Sequence, residues 1–366
     1  TYMAGKWDLG FVGEYRPSVR GFDRSFAMME GGESHFAEYF WRESVAYEDE
    51  GRRITLEDLP EDFYSTRFYT DKMLEYLTSN NNEAEPWFGY LAYTAPHWPL
   101  QVPDKWLDRH AGTYATGYDA LRGSRLEKAK LEGVLPPGAN TSVFDAIAKP
   151  WNELNREQQR RYSRAQEIYA SMVEYMDTSI GRIVDFLEET RQLDNTLIFF
   201  MADHGASTLE TGPDQGDSFP VQPLPRNNEF ENFGKIGSFI DHGIGFGEAA
   251  SAPFKYFKGN MSEGGVRAAA FARYPTANES PGVSHVLITA LDVMPTLLAA
   301  AGIKHPGASE FRGRQIKNIK GISFWPFMNG QRAPEREDMG SIGWSNGTVG
   351  ALIRGDFKII NQGRPG

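Results

Sequence analysis

An aspartate and a histidine stand side by side at Asp203-His204, directly after the apolar run 196–202. A carboxylate and an imidazole at one strand end can both reach a single metal ion from the following loop. Oxygen donors suit Ca²⁺ or Mg²⁺, and the imidazole would tolerate a transition metal. The same residues also make a plain turn, because Asp and the following Gly205 favour turns. His97 lies between Pro96 and Pro99, beside Trp98. It is either a structural histidine in a stiff loop or a proton donor held at fixed geometry. Lys6 follows Gly5, and Lys258 precedes Gly259 and the pair Gly264-Gly265. Each lysine reads as a surface cation or as a fixed positive charge; the paired glycines suggest close approach of backbone to something.

These residues need elements to hold them. The run 87–93 is short, apolar and bounded by turn residues, which predicts a buried strand. It breaks at residues 94–99, where two prolines force the chain out of a sheet. Residues 63–78 carry Phe68, Met73, Leu74 and Leu77 at helical spacing. Residues 155–190 hold the longest helical pattern, with Ile168, Met172, Tyr175, Met176, Ile180, Ile183 and Leu187 on one stripe. Asn155 stands three residues before Gln158, the spacing of a capping box. A turn at Asp194-Asn195 then leads into the strand 196–202. Helix, turn and apolar strand are half of a βαβ unit, which predicts a parallel sheet covered on both faces. A strand at 271–274, a helix at 286–301 interrupted by Pro295, and two short strands around Gly355-Asp356 complete the pattern. Residues 11–49 and 207–251 are rich in glycine, proline or asparagine and read as long irregular loops.

The chain has 366 residues, with 38 basic and 49 acidic side chains and a net charge of −11. The excess of acid argues against a nucleic-acid platform, yet a local cluster of cations can still hold an anionic substrate. No apolar run approaches the ~20 residues needed to span a bilayer as a helix. There is no cysteine, which excludes disulfides, thiolate-ligated zinc and a cysteine nucleophile within these residues. The first residue is Thr1 and the last residues close no element, so the sequence is expected to be a fragment at both ends. Compartment and oligomeric state are left open.

Several pieces in order resemble the type I sulfatases, most closely their bacterial arylsulfatase branch. They are Gly5-Lys6-Trp7-x-Leu9-Gly10, Ala95-Pro96-His97-Trp98-Pro99-Leu100, Asp194-Asn195-Thr196 with Asp203-x-Gly205-Ala206, and Lys258 followed by Glu263-Gly264-Gly265-x-Arg267. The stretches 233–251 and 284–302 and Arg312-Gly313-Arg314 look like that branch too. The resemblance implies an alkaline-phosphatase-like α/β sandwich with a mostly parallel central sheet flanked by helices. Residues 1–346 would form the catalytic domain, incomplete at its N-terminus, and 347–366 the start of a small C-terminal antiparallel sheet. It implies hydrolysis of an aryl or saccharide sulfate ester, assisted by a divalent metal, Ca²⁺ or alternatively Mg²⁺. Asp203 and His204 would be metal ligands, Lys6 and Lys258 would sit on the sulfate, and His97 would lie near the leaving-group oxygen. Fixed cations and a proton donor are what such a charged transition state needs.

The sequence departs from the family pattern in three places. Asp8 stands where the family usually has a histidine that contacts the nucleophile. His204 stands where this branch usually has Asn; Asp-His also occurs in phosphodiester and phosphonate monoester hydrolases of the superfamily. The family's formylglycine arises from Cys or Ser in Cys/Ser-x-Pro-x-Arg, and no such motif occurs here. The nucleophile is expected upstream of this chain. A phosphoester or phosphonate hydrolase and a non-catalytic sulfatase-like binder stay as alternatives. Loops 14–41 and 208–247 are expected to shape the leaving-group pocket; their aromatics Phe36, Tyr39, Phe40, Phe219 and Phe230 read either as contacts for an aromatic or sugar leaving group or as packing against the body.

Overall fold

The computed structural model describes residues 1–38, 47–79, 85–136, 138–141, 146–209, 212–214, 226–274, 282–333 and 340–361. The strands are β1 (Tyr2–Lys6), β2 (Arg24–Met28), β3 (Tyr47–Asp49), β4 (Arg52–Ile54), β5 (Gly89–Ala92), β6 (Ile198–Met201), β7 (Ala270–Arg273), β8 (Glu310–Phe311), β9 (Arg314–Gln315), β10 (Ser341–Asn346), β11 (Val349–Arg354) and β12 (Phe357–Asn361). The helices are α1 (Pro17–Arg20), α2 (Ser65–Thr78), α3 (Gly117–Leu131), α4 (Arg156–Glu189), α5 (Gly243–Ala250), α6 (Glu263–Val266), α7 (Ala290–Ala300) and α8 (Trp325–Met328).

The main sheet runs in the order β4-β3-β2-β1-β5. Strand β1 is parallel to both neighbours, while β2, β3 and β4 meander antiparallel, so the sheet is mixed. Central position explains why β1 is made of small and flexible residues. Gly5 has φ +114°, and a Cβ there would lie 2.0 Å from the Ala92 carbonyl oxygen. Only glycine lets β1 press this closely onto β5. Helix α2 covers the sheet, burying Tyr69, Met73 and Leu77 with Phe26, Met28, Tyr47 and Ile54. Helix α4 buries Ala165, Ile168 and Met172 against Leu100, Val102, Phe233 and Ile240. Its capping box forms as the spacing predicts: Asn155 accepts from the Gln158 amide and Gln158 reaches back.

Four expectations need correction. Residues 11–49 are not all loop: α1, β2 and β3 lie there, and β2 is buried beside β1. Its sequence, Arg-Ser-Phe-Ala-Met, lacks the β-branched residues that mark a strand, so burial alone makes it one. Residues 207–251 include α5, a helix of Gly, Ile, Phe and Ala whose one charged residue, Glu248, is itself buried, packed against Tyr118 and Trp151. Residues 117–131, for which no element was expected, form α3. Strand β6 is antiparallel to β7, and among the described residues β7 is its one partner. It is half-buried rather than covered on both faces. The helix expected at 286–301 begins later, where Thr289 and Asp292 form a capping box.

The predicted pair of strands around Gly355-Asp356 is present as β11 and β12, joined by β10 in an antiparallel sheet. Lys358 ties that sheet to α6 through Glu263 at 2.5 Å. Of the proposed pocket aromatics, Phe36 packs on Tyr64 and Phe230 on Phe233. Tyr39, Phe40 and Phe219 lie outside the described residues.

Candidate active site

The site residues converge at the ends of β1, β5 and β6. Lys6 closes β1, His97 lies in the loop after β5, and Asp203-His204 follow β6. Lys6 Nζ is 3.5 Å from Asp203 Oδ2, and His204 Nε2 is 3.1 Å from the same oxygen. Lys258 Nζ is 3.3 Å from His97 Nε2. The charge of Lys6 reaches both His97 and Lys258, which joins the two pairs into one cluster. Asp8 lies at the rim. It is exposed, in the left-handed region at φ 51°, with its carboxylate beside Gly31, and its charge acts on Lys258.

The loop carrying Asp203 is docked through backbone. The Ala202 amide donates to the Ala269 carbonyl (2.9 Å), the Gly205 amide to Gly265 (3.1 Å), and the Lys258 amide to Ala206 (2.9 Å). A Cβ at Gly205 would lie 1.7 Å from the Gly264 oxygen. The glycines flagged in the sequence therefore meet one another, and this contact sets Lys258 opposite Asp203. Further along, Thr208 and the Leu209 amide donate to the buried carboxylate of Asp241.

Electrostatics follow from these contacts. Burial would raise the Asp203 carboxyl, but its side chain stays 64% exposed. The His204 hydrogen bond, then the charges of His204 and Lys6, pull it well below the ordinary carboxylate range. Burial lowers Lys258, and Lys6 lowers it further against the opposing pull of Asp203 and Asp8. Burial, followed by the charge of Lys258, pushes His97 down to about 3. His97 Nδ1 is 2.6 Å from the Trp98 carbonyl, which can only accept. The ring therefore carries its proton on Nδ1 and turns the Nε2 lone pair toward the Lys258 ammonium.

His204 Nδ1 likewise donates to the Gly205 carbonyl at 2.8 Å. Its Nε2 then faces a carboxylate oxygen 3.1 Å away. Two lone pairs at that separation need a cation between them, either a proton or a metal ion. The 3.1 Å separation is an ordinary hydrogen-bond length. A carboxylate oxygen and an imidazole nitrogen are donor types a divalent cation accepts, but among the described residues no group of three or more His, Asp or Glu side chains is placed to hold one.

Two functional candidates carry no sequence signal. Glu33 and His35 are fully buried beneath the His97 loop, within a Gly- and Ser-rich stretch that reads as surface. Glu33 accepts from Tyr69 and from Thr94 (3.0 Å). His35 reaches the His97 carbonyl. Neither lies on a periodic element that would have pointed inward.

With this geometry described, the sequence can be set against known proteins. The model of the Sulfatase family matches residues 1–303. The chain belongs to the sulfatase family. An uncharacterized sulfatase of Schizosaccharomyces pombe is 37% identical over 98% of this chain, and an arylsulfatase of Klebsiella aerogenes is 34% identical over 83%. This sulfatase chain spans 66% and 65% of the lengths of those two relatives. Among solved structures, Ps i-CgsB in complex with k-i-k-neocarrahexaose superposes with a TM-score of 0.60 at 21% identity, covering 98% of this chain and 62% of that one. A protein crystallised with its substrate D-glucosamine-2-N,6-O-disulfate gives 0.58 at 18% identity, covering 99% and 70%. These likenesses establish the sulfatase, alkaline-phosphatase-like fold. Family members generally use a divalent metal and a formylglycine. Among the described residues no helix is long and apolar enough to cross a membrane.

Proposed function

We propose that this protein hydrolyses sulfate monoesters, with an aryl or saccharide alcohol as leaving group. The observation that carries this reading is the cluster in which Lys6 meets Asp203 of the Asp203–His204 pair and Lys258 meets His97, with the charge of Lys6 reaching both His97 and Lys258. Sulfuryl transfer spreads negative charge over the sulfate oxygens and builds it on the leaving oxygen. Preorganised cations aimed at those atoms stabilise the transition state more than the ground state.

Lys6 and Lys258 bind and orient the sulfate. His97 is neutral, with Nδ1–H committed to Trp98, so its Nε2 is an acceptor at neutral pH. The mobile proton of the pair belongs to Lys258, whose ammonium is weakened by burial and by Lys6. Lys258 is thus the proton donor to the leaving oxygen, and His97 fixes its direction. Asp203 and His204 would hold a divalent ion, Ca²⁺ or Mg²⁺, which would supply Lewis-acid stabilisation of the sulfate oxygens. The nucleophile, a formylglycine, comes from outside residues 1–366, which hold neither cysteine nor Ser-x-Pro-x-Arg. A sugar leaving group is supported by the saccharides bound to the two structural neighbours.

The test uses full-length protein containing these residues and two esters, one sulfate and one phosphate, sharing an aryl leaving group. Preference for the sulfate in kcat/KM is expected. A preference of orders of magnitude for the phosphate would replace this reading with a phosphohydrolase, and binding of both without turnover would make the protein a binder.

A further inference from the structure

His35 is fully buried, and each of its ring nitrogens has one partner. Nε2 is 2.9 Å from the His97 carbonyl oxygen, and Nδ1 is 2.8 Å from Ser65 Oγ at the start of α2. A carbonyl can only accept, so Nε2 carries the hydrogen. Nδ1 is then the acceptor, and the Ser65 hydroxyl donates to it. Both directions are forced by chemistry, and the ring has a single orientation. Its amide is also held, donating to Gln101 Oε1 at 2.8 Å, and Gln101 in turn donates to the Ser238 carbonyl at 3.0 Å.

The far side of the same peptide carries the His97 ring. The His97 amide donates to Thr94 at 3.0 Å, and the Thr94 hydroxyl donates to Glu33, two residues before His35. The 33–35 segment thus grips residues 94–97 at two points, both dry. The rest of the loop is pinned farther along, where the Leu100 and Val102 amides donate to Ile240 and Gly234. Among the described residues, the side chain that fixes a backbone group of residues 95–97 from below is His35.

We propose that His35 is a positioning residue: by holding the His97 carbonyl from the buried side, it sets the direction in which His97 Nε2 meets Lys258. It touches no substrate. Its contribution comes through geometry, since a misplacement of about 1 Å at a reacting group can cost on the order of 10²-fold in rate. The inference rests on the sulfatase reading for its kinetic consequence, but not for its structural one.

The experiment compares H35L, H35Q and S65A with wild type in the full-length protein. Two readouts are taken: kcat and KM for an aryl sulfate, and the ¹⁵N signals of the His97 ring. Leu fills the site without a donor, whereas the Gln amide can donate to the His97 carbonyl. H35L is expected to lower kcat by about 10- to 100-fold with KM changed less than about threefold, and H35Q to restore most of the loss. S65A, which frees the ring to rotate, is expected to fall between them and serves if H35L does not fold. In wild type the His97 signals should report a proton on Nδ1; in H35L or S65A they should shift toward a tautomer mixture. Folded variants with unchanged kcat and unchanged His97 signals overturn the proposal. If wild type turns over no sulfate ester while the His97 signals still change, the positioning role stands and the sulfatase reading falls.

Discussion

The two sides of the site are held mainly by different contacts. On the β5 side, the His97 loop is braced by buried side chains: Glu33, His35, Ser65 and Gln101 each spend a hydrogen bond there. On the β6 side, the Asp203 loop is docked by backbone bonds to residues 265 and 269, and the Asp203 side chain stays open to solvent. Buried side-chain networks fix direction, because an unmet partner in a dry interior costs about 1–3 kcal/mol. Backbone docking fixes position and leaves side chains free to take a ligand. The difference fits a division of labour in which the His97 side orients a proton and the Asp203 side receives charge.

The comparison can be broken most directly at Lys258 and the Asp203 carboxylate. K258A should lower kcat by about 10²-fold or more, with little change in thermal stability, because Lys258 acts on developing charge. D203A should abolish divalent-ion binding seen by calorimetry in the full-length protein; unchanged Ca²⁺ and Mg²⁺ affinity would remove Asp203 from the ligands. Next in size come the two close approaches. G5A and G205A each place a Cβ within 2.0 Å of a carbonyl oxygen, and each should cost several kcal/mol of folding free energy in urea titrations. G5A should loosen the β5 side and G205A the β6 side, visible as hydrogen exchange in different loops.

A smaller effect concerns pH. Burial pushes His35 down to about 4 and Glu33 up to about 8. His35 takes a proton in the unfolded chain near pH 6.5 but resists it when folded, so its contribution to stability is lost as pH falls from 6.5 toward 4. Glu33 keeps its proton when folded up to about pH 8 but releases it near 4.5 when unfolded. Its contribution is full below pH 4.5 and is lost as pH rises through 8. Between 4.5 and 6.5 the two slopes oppose each other. E33Q should therefore expose a fall in stability of about 1.4 kcal/mol per pH unit on acidification across that window. A pH dependence identical to wild type would show that Glu33 is ionised in the folded protein. The smallest effect is expected at the rim: D8N should change stability by less than about 0.5 kcal/mol, because Asn accepts the left-handed backbone and the side chain is exposed.

Long amphipathic helices were legible from residues alone. The stripe and capping box of α4 and the apolar face of α2 are local patterns, set by spacing within one element. Strands β5, β6 and β7 were legible for the same reason, as were β11 and β12. Strands β1 and β2 were not: Tyr-Met-Ala-Gly-Lys and Arg-Ser-Phe-Ala-Met become strands by being squeezed between neighbours. The direction of β6 was misread because a helix-turn-strand run does not say which strand pairs beside it.

By itself, the sequence determined which side chains carry chemistry: two lysines, an Asp-His pair, a histidine between prolines, and no cysteine. Side-chain type and short-range order suffice for that, because charge, proton affinity and backbone stiffness are local properties. Only the tertiary structure decided that Lys258 faces His97, that Gly205 meets Gly264, and that His35 stands beneath the His97 carbonyl. Those contacts join residues 161, 59 and 62 positions apart. Nothing local encodes them; they exist because packing the strand ends together brings those groups within reach of one another.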